Sequence, residues 1–195
     1  AAKLKRPIII STGMTNFDEL KEVLKIFKNI DIALMHCVSS YPLKNTDSDL
    51  NVIKTLLDLN TGPVGYSDHS LGIEVPVLAV AAGAKLIEKH FTLNRKMKGP
   101  DHMASMEPQE FKKMVQKIRK VEQILGSKNK IITNSEKKNR AVARRSIVAN
   151  LRISKGQKFT LENLAIKRPG KGLEPQKIFS LLGKKSKKNY IKNEF

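Results

Sequence analysis

An apolar run, a turn and an amphipathic helix follow one another four times within the first 125 residues, and this alternation restricts the fold more than any other feature of the chain. Residues 8–11, IIIS, are the first short run. The turn TGMTN follows, and Asn16 and Glu19 have the spacing of a capping box, in which two side chains satisfy backbone N–H groups at a helix start. The helix they open carries Phe17, Leu20, Val23, Leu24 and Phe27 on one face, as expected of a helix lying on a sheet. The spacing then predicts strands over 31–36, 63–67 and 85–90, each followed by a helix, over about 48–59, 72–82 and 108–125. The last of these helices has Phe111, Met114, Val115, Ile118 and Val121 on its apolar face.

Strands that alternate with helices and are apolar on both faces imply an α/β fold with a parallel sheet under helical cover, either doubly wound or a (β/α)8 barrel. Four β-α units in 125 residues make half of the roughly 250 residues typical of that barrel. The chain opens without Met and almost directly enters a strand, so we expect the first half of a barrel to be missing. Its two sheet edges then need cover from another copy or from that half.

Residues 126–139, GSKNKIITNSEKKN, are polar and helix-breaking, and read as a linker. Residues 140–195 hold short β-type runs, turns at Lys155-Gly156 and Pro169-Gly170, and one helix-like stretch near 175–182, which reads as a small, mostly β domain. The formal net charge of +19 is concentrated here: the first 125 residues hold 18 basic and 14 acidic residues, the last 70 hold 19 and 4. Such a surface attracts polyanions or small phosphorylated acids, so a non-enzymatic polyanion-binding module is the rival to an enzyme. The chain has no run of about 18 apolar residues, and the opening AAKLKRPIII has charge but no apolar region of signal-peptide length. Cys37 is the only cysteine, which excludes an intrachain disulfide and makes a reducing cytoplasm the simplest compartment. We expect neither a membrane nor a nucleic-acid partner.

In parallel barrels the chemistry lies at the C-terminal ends of the strands. This chain places Ser11-Thr12-Gly13, residues 36–41 (HCVSSY), Ser67-Asp68-His69 and His90-Phe91-Thr92 there. His69 and His90 end adjacent strands, whose spacing of about 5 Å lets the side chains converge. Imidazole suits Mn, Fe, Co or Zn better than Mg, and two ligands leave positions for water and substrate, as Lewis-acid catalysis requires. Hydrogen-bonded rim histidines without a metal are the other reading. His36, within an apolar strand, and His102, in a loop, read as structural. In MKGPDHMAS a Gly-Pro turn projects Asp101 toward the same rim, either to orient hydroxyls or to stabilise the turn. Arg168 precedes the Pro169-Gly170 turn with a donor fork suited to a carboxylate or carbonyl oxygen.

Taken in order, IIISTGM, HCVSSYP, GYSDHSLGIEV, IEKHFTLNRKMKGPDHMASMEP, NRAVARRSIVA and KRPGKG resemble the sialic acid synthase family over nearly the whole chain. The resemblance implies the C-terminal half, four β-α units, of a (β/α)8 TIM barrel over 1–125, and an antifreeze-like SAF (β-clip) domain over 140–195. It also implies a domain-swapped homodimer in which that domain covers the partner's active site. The implied reaction condenses phosphoenolpyruvate with open-chain N-acetylmannosamine; legionaminate, pseudaminate and spore-coat polysaccharide relatives are alternatives. His69 and His90 would bind Mn2+, or else Mg2+ or Co2+, to polarise the aldehyde oxygen for attack by C3 of phosphoenolpyruvate. Water then adds at C2 and phosphate leaves with C–O cleavage. Ser11 and Ser67 correspond to positions on the phosphoenolpyruvate or phosphate side, Ser39 falls where some members have Asn, and Tyr41 and Asp101 match sugar-binding positions. Arg168 matches an arginine that reaches the sugar's N-acetyl group from the other subunit. The family's phosphate-binding lysines and catalytic glutamates of the first half-barrel have no counterpart here, which implies that this polypeptide alone is inactive. A basic domain used as a lid would concentrate an anionic enol phosphate.

Overall fold

Four strands, β1 (Ile8–Ser11), β2 (Ile32–Cys37), β3 (Val64–Asp68) and β4 (Leu86–Lys89), pair in chain order and all in parallel. The structure is a computed structural model that describes residue 3 and residues 5–27, 30–59 and 62–195. Ala1, Ala2 and Leu4 of the charged opening segment lie outside them. Helices α1 (Phe17–Ile26), α2 (Val52–Leu59) and α3 (Glu74–Ala82) connect the strands, and α4 (Pro108–Leu125) follows the last. The sheet is a curled half of a (β/α)8 barrel. At the start of α1, Asn16 accepts from the Asp18 and Glu19 N–H groups, and Glu19 accepts from the Asn16 N–H at 2.9 Å, completing the capping box.

Successive side chains on a strand point to opposite faces. Ile32, Leu34, Val64 and Tyr66 take the helix side and pack with Leu20, Ile53, Leu56, Val75 and Ala79 in one buried cluster. The other positions, Ser11, Met35, Cys37, Gly65, Ser67 and Glu88, share the inner face, where any ligand of the sheet must lie. Central strands β2 and β3 are buried at every residue, whereas the outer strand β1 leaves Ile9 64% exposed on the inner face.

Gly65 is the closest approach on that inner face. A Cβ there would stand 2.7 Å from the Leu86 Cβ and 2.8 Å from its carbonyl oxygen, contacts that no side-chain rotation relieves. Gly65→Ala is therefore expected to destabilise the first unit by about 1–3 kcal/mol, as overpacking does, read as a lower urea midpoint at unchanged slope.

His36, on the helix side of β2, is buried, and its Nε2–H donates to the Ser48 carbonyl at 2.9 Å. Burial lowers its pKa from the ordinary histidine value, with the Ser48 bond and Asp49 opposing the shift more weakly. The folded chain thus takes up this proton at lower pH than the unfolded chain, so protons favour unfolding. Stability is expected to be complete above about pH 6.5 and to fall as pH drops below it. His36→Gln should flatten this part of the profile in denaturant titrations run from pH 7 to pH 5.

The chain forms two compact units, residues 1–127 and 128–195. The second holds α5 (Asn134–Ala143), an antiparallel pair of strands β5 (Ser146–Ala149) and β6 (Leu164–Lys167), and α6 (Ile178–Leu181). Ile147, Ala149, Ile153, Leu164 and Ile178 form its core. The 126–139 stretch is not helix-breaking throughout, because α5 starts inside it. Thr133 accepts from the Glu136 N–H, and the Glu136 carboxylate accepts from the Thr133 N–H at 2.9 Å, a second capping box that starts the helix.

Candidate active site

Two histidines meet where β3 and β4 end. Asp68 and Lys89 are register partners, so His69 and His90, one residue further on, face the inner side next to each other. Their ring centroids are 5.3 Å apart at an interplanar angle of 66°. Nδ1 of His69 is 3.0 Å from the Val38 carbonyl, which accepts its proton and leaves Nε2 as the free lone pair. The Leu43 N–H donates to the His69 carbonyl at 2.8 Å, so main chain and ring are both held. Tyr41, half-exposed after β2, lays its ring 4.1 Å from that of His69 and 5.5 Å from that of His90.

Asp101 approaches the pair from the loop after β4, its Oδ2 4.0 Å from Nδ1 of His90. Several bonds brace this loop. Ser105 Oγ donates to the Asp101 carbonyl, Thr92 Oγ1 lies 2.8 Å from Nδ1 of His102, and Arg95 donates to the Ser105 carbonyl and pairs with Glu110. His102 thus braces this loop, and His36 bonds the segment that precedes α2.

Deeper on the inner face, buried Ser67 donates to Glu88 Oε1 at 2.6 Å, a short charge-assisted bond. Glu88 was hidden from sequence reasoning inside the run LIEKH, although its place two residues before His90 puts it on the same face of the strand. Ser11, exposed, ends β1, and Ser39 follows β2. The Gly13 backbone lies so close to Ser39 that an added Cβ would be 2.5 Å from its Oγ. The structure therefore gathers Tyr41, Ser67, His69, His90 and Asp101 around the ends of β2, β3 and β4, with Ser11 and Ser39 toward β1. Arg168 is exposed after β6 in the second unit.

Among the described residues no group of three or more His, Cys, Asp or Glu side chains is disposed to hold a metal ion. The two imidazoles nevertheless fit shared ligation. A nitrogen held about 2.1 Å from an ion puts its ring centroid about 3.25 Å away, so two rings at angles of about 90–109° stand about 4.6–5.3 Å apart. The observed spacing, 5.3 Å, lies at the upper end of that range. Other positions of such an ion fall to water or substrate. Among the described residues no helix is long and apolar enough to cross a membrane.

The NeuB family matches residues 1–130 and the SAF domain residues 144–195. An uncharacterized protein of Methanocaldococcus jannaschii is 50% identical over 95% of this chain and 56% of its own length. The N,N'-diacetyllegionaminic acid synthase of Campylobacter jejuni is 42% identical over 99% of this chain and 59% of its own. The crystal structure of N-acetylneuraminic acid synthetase from Leptospira borgpetersenii, in complex with citrate, superposes with a TM-score of 0.68 at 41% identity, over 71% of this chain and 49% of that one. The chain thus spans between about half and three-fifths of the length of the relatives it matches. A half-barrel carrying the paired histidines, joined to a SAF domain, places this chain in the NeuB family of sialic acid synthases and their relatives.

Proposed function

We propose that this chain supplies the metal-binding half of a cytoplasmic synthase that condenses phosphoenolpyruvate with the open-chain form of an N-acetylated hexose and releases phosphate. The observation that carries the reading is the convergence of His69 and His90 at 5.3 Å on the inner face of the sheet, with one ring nitrogen of His69 already committed to Val38. A divalent ion, Mn2+ in the first instance, supplies Lewis-acid polarisation of a carbonyl oxygen when bound between such ligands.

The remaining steps fall to side chains. Tyr41 gives the sugar a flat wall beside the histidines, and Asp101, at the lip, accepts from sugar hydroxyls. Ser11 and Ser39 offer hydroxyl donors to the anionic phosphate side. As C3 of phosphoenolpyruvate bonds to the aldehyde carbon, the oxygen formed there needs a proton, and the water that adds at C2 must lose one. Glu88, anchored by Ser67, is the inner-face carboxylate available to move a proton between those atoms. Collapse of the C2 adduct then expels phosphate with its bridging oxygen. In a domain-swapped dimer, Arg168 of the partner subunit would bind the N-acetyl oxygen through its donor fork.

Substrate choice is between N-acetylmannosamine and a di-N-acetylated hexose, since the chain is 41% identical to the N-acetylneuraminic acid synthetase and 42% identical to the legionaminic acid synthase. Phosphate release by a full-length form with Mn2+ and phosphoenolpyruvate, compared between the two sugars, tests both. Release with neither sugar removes the proposal, and preference for the di-N-acetylated hexose selects the second reading.

A further inference from the structure

On the helix side of the sheet, directly behind the two histidines, Asp68 and Lys89 form an ion pair whose side chains are 0% and 2% exposed. Two residues earlier on the same side of the two strands stand Tyr66, fully buried, and Ile87, both packed into the apolar cluster, so the pair closes the end of that layer out of contact with solvent. Burying two charges there is costly, and an apolar pair of similar volume gives as much cohesion or more. Cohesion alone does not account for these residues.

Their bonds do something an apolar pair cannot. Asp68 Oδ1 accepts the Ser70 N–H at 2.9 Å, and its Oδ2 accepts from Lys89 Nζ, which also donates to the Ser70 carbonyl. Carboxylate, ammonium and Ser70 backbone close a ring around the residue between them, His69. The ring also ties that segment to Lys89, the residue before His90. Because Asp68 and Lys89 are register partners, the link fixes the end of β3 against the end of β4. His90 has few restraints of its own: its carbonyl accepts from the Met106 N–H at 2.8 Å, and its ring has Asp101 at 4.0 Å.

We infer that the buried Asp68–Lys89 pair is a positioning device that holds the His69 and His90 rings at the separation one divalent cation requires. It rests on the proposal that these histidines bind such an ion. A two-residue slip at this edge of the sheet would keep each side chain on its own face yet move the rings about 6–7 Å apart, so the pair sets ligand geometry in addition to the fold.

The test compares the wild-type chain with Asp68→Leu/Lys89→Met, which removes both charges and leaves no unpaired ion in the core, and with Lys89→Arg, which keeps the charge. Mn2+ affinity is read from the free-ion electron spin resonance signal, and folding from the urea midpoint. Mn2+ should also broaden the NMR ring signals of both histidines in wild type. The double variant is expected to unfold at a similar urea concentration, to bind Mn2+ at least tenfold more weakly, and to lose the simultaneous broadening of both rings. Lys89→Arg should stay within about threefold of wild type, since a guanidinium still pairs with Asp68. Unchanged Mn2+ affinity in the double variant, or its failure to fold, assigns the pair to fold stability alone and overturns the inference. Absence of Mn2+ binding by the wild-type chain is a different result, which removes the metal reading on which the inference stands.

Discussion

Replacing His69 or His90 by alanine in a full-length form is expected to lower phosphate release by more than about 100-fold, beyond what loss of an outer-shell partner of a metal costs. The magnitude follows from the ligand count. On the proposed reading the two imidazoles are the protein ligands, and among the described residues no group of three or more His, Cys, Asp or Glu could share the ion, so removing one leaves a single donor. Both variants should fold, because His90 is partly exposed and the main chain around His69 remains bonded through Leu43 and Ser70. Excess Mn2+ should restore part of the activity, since a weakened site still fills at high concentration. Steady-state phosphate assays over a Mn2+ series check this. Release undiminished in both variants would remove the metal reading.

Glu88→Gln is the second large effect, an expected loss of about 10²- to 10⁴-fold, the range for a positioned proton-transfer group. Glutamine is close to isosteric, and its carbonyl oxygen still accepts from Ser67 Oγ, so the 2.6 Å contact that anchors the side chain survives in kind. What disappears is the capacity to hold a proton. The loss should therefore appear in kcat with little change in the KM for either substrate. Ser67→Ala, which frees the carboxylate without removing it, should cost less. Equal losses in both would show that Glu88 acts through its geometry and not through its proton.

Much of this arrangement is legible in the residues. The four β-α units follow from apolar spacing and from the capping box at Asn16 and Glu19, because burial of a strand or helix face leaves a periodic trace. His69 and His90 stand out because each follows an apolar strand on the side where loops gather. Helix α5 left no such trace: none of its residues is buried, so its sequence reads as polar linker, and only the Thr133–Glu136 capping pattern marks its start. Glu88 was obscured for a related reason. An outer strand of a half-barrel has one face covered and one open, so an exposed carboxylate on the open face reads as ordinary solvated surface. The Asp68–Lys89 pair depends on register between segments about 20 residues apart, which the spacing of apolar residues along one strand does not encode.

Everything proposed for the chemistry depends on two rings sharing one ion. A crystal of this chain soaked in Mn2+, measured near the manganese absorption edge, addresses it directly. We expect one anomalous peak between His69 and His90, about 2.1 Å from a nitrogen of each ring. A map with no peak there, or with manganese bound elsewhere while the two rings turn apart, would contradict the account.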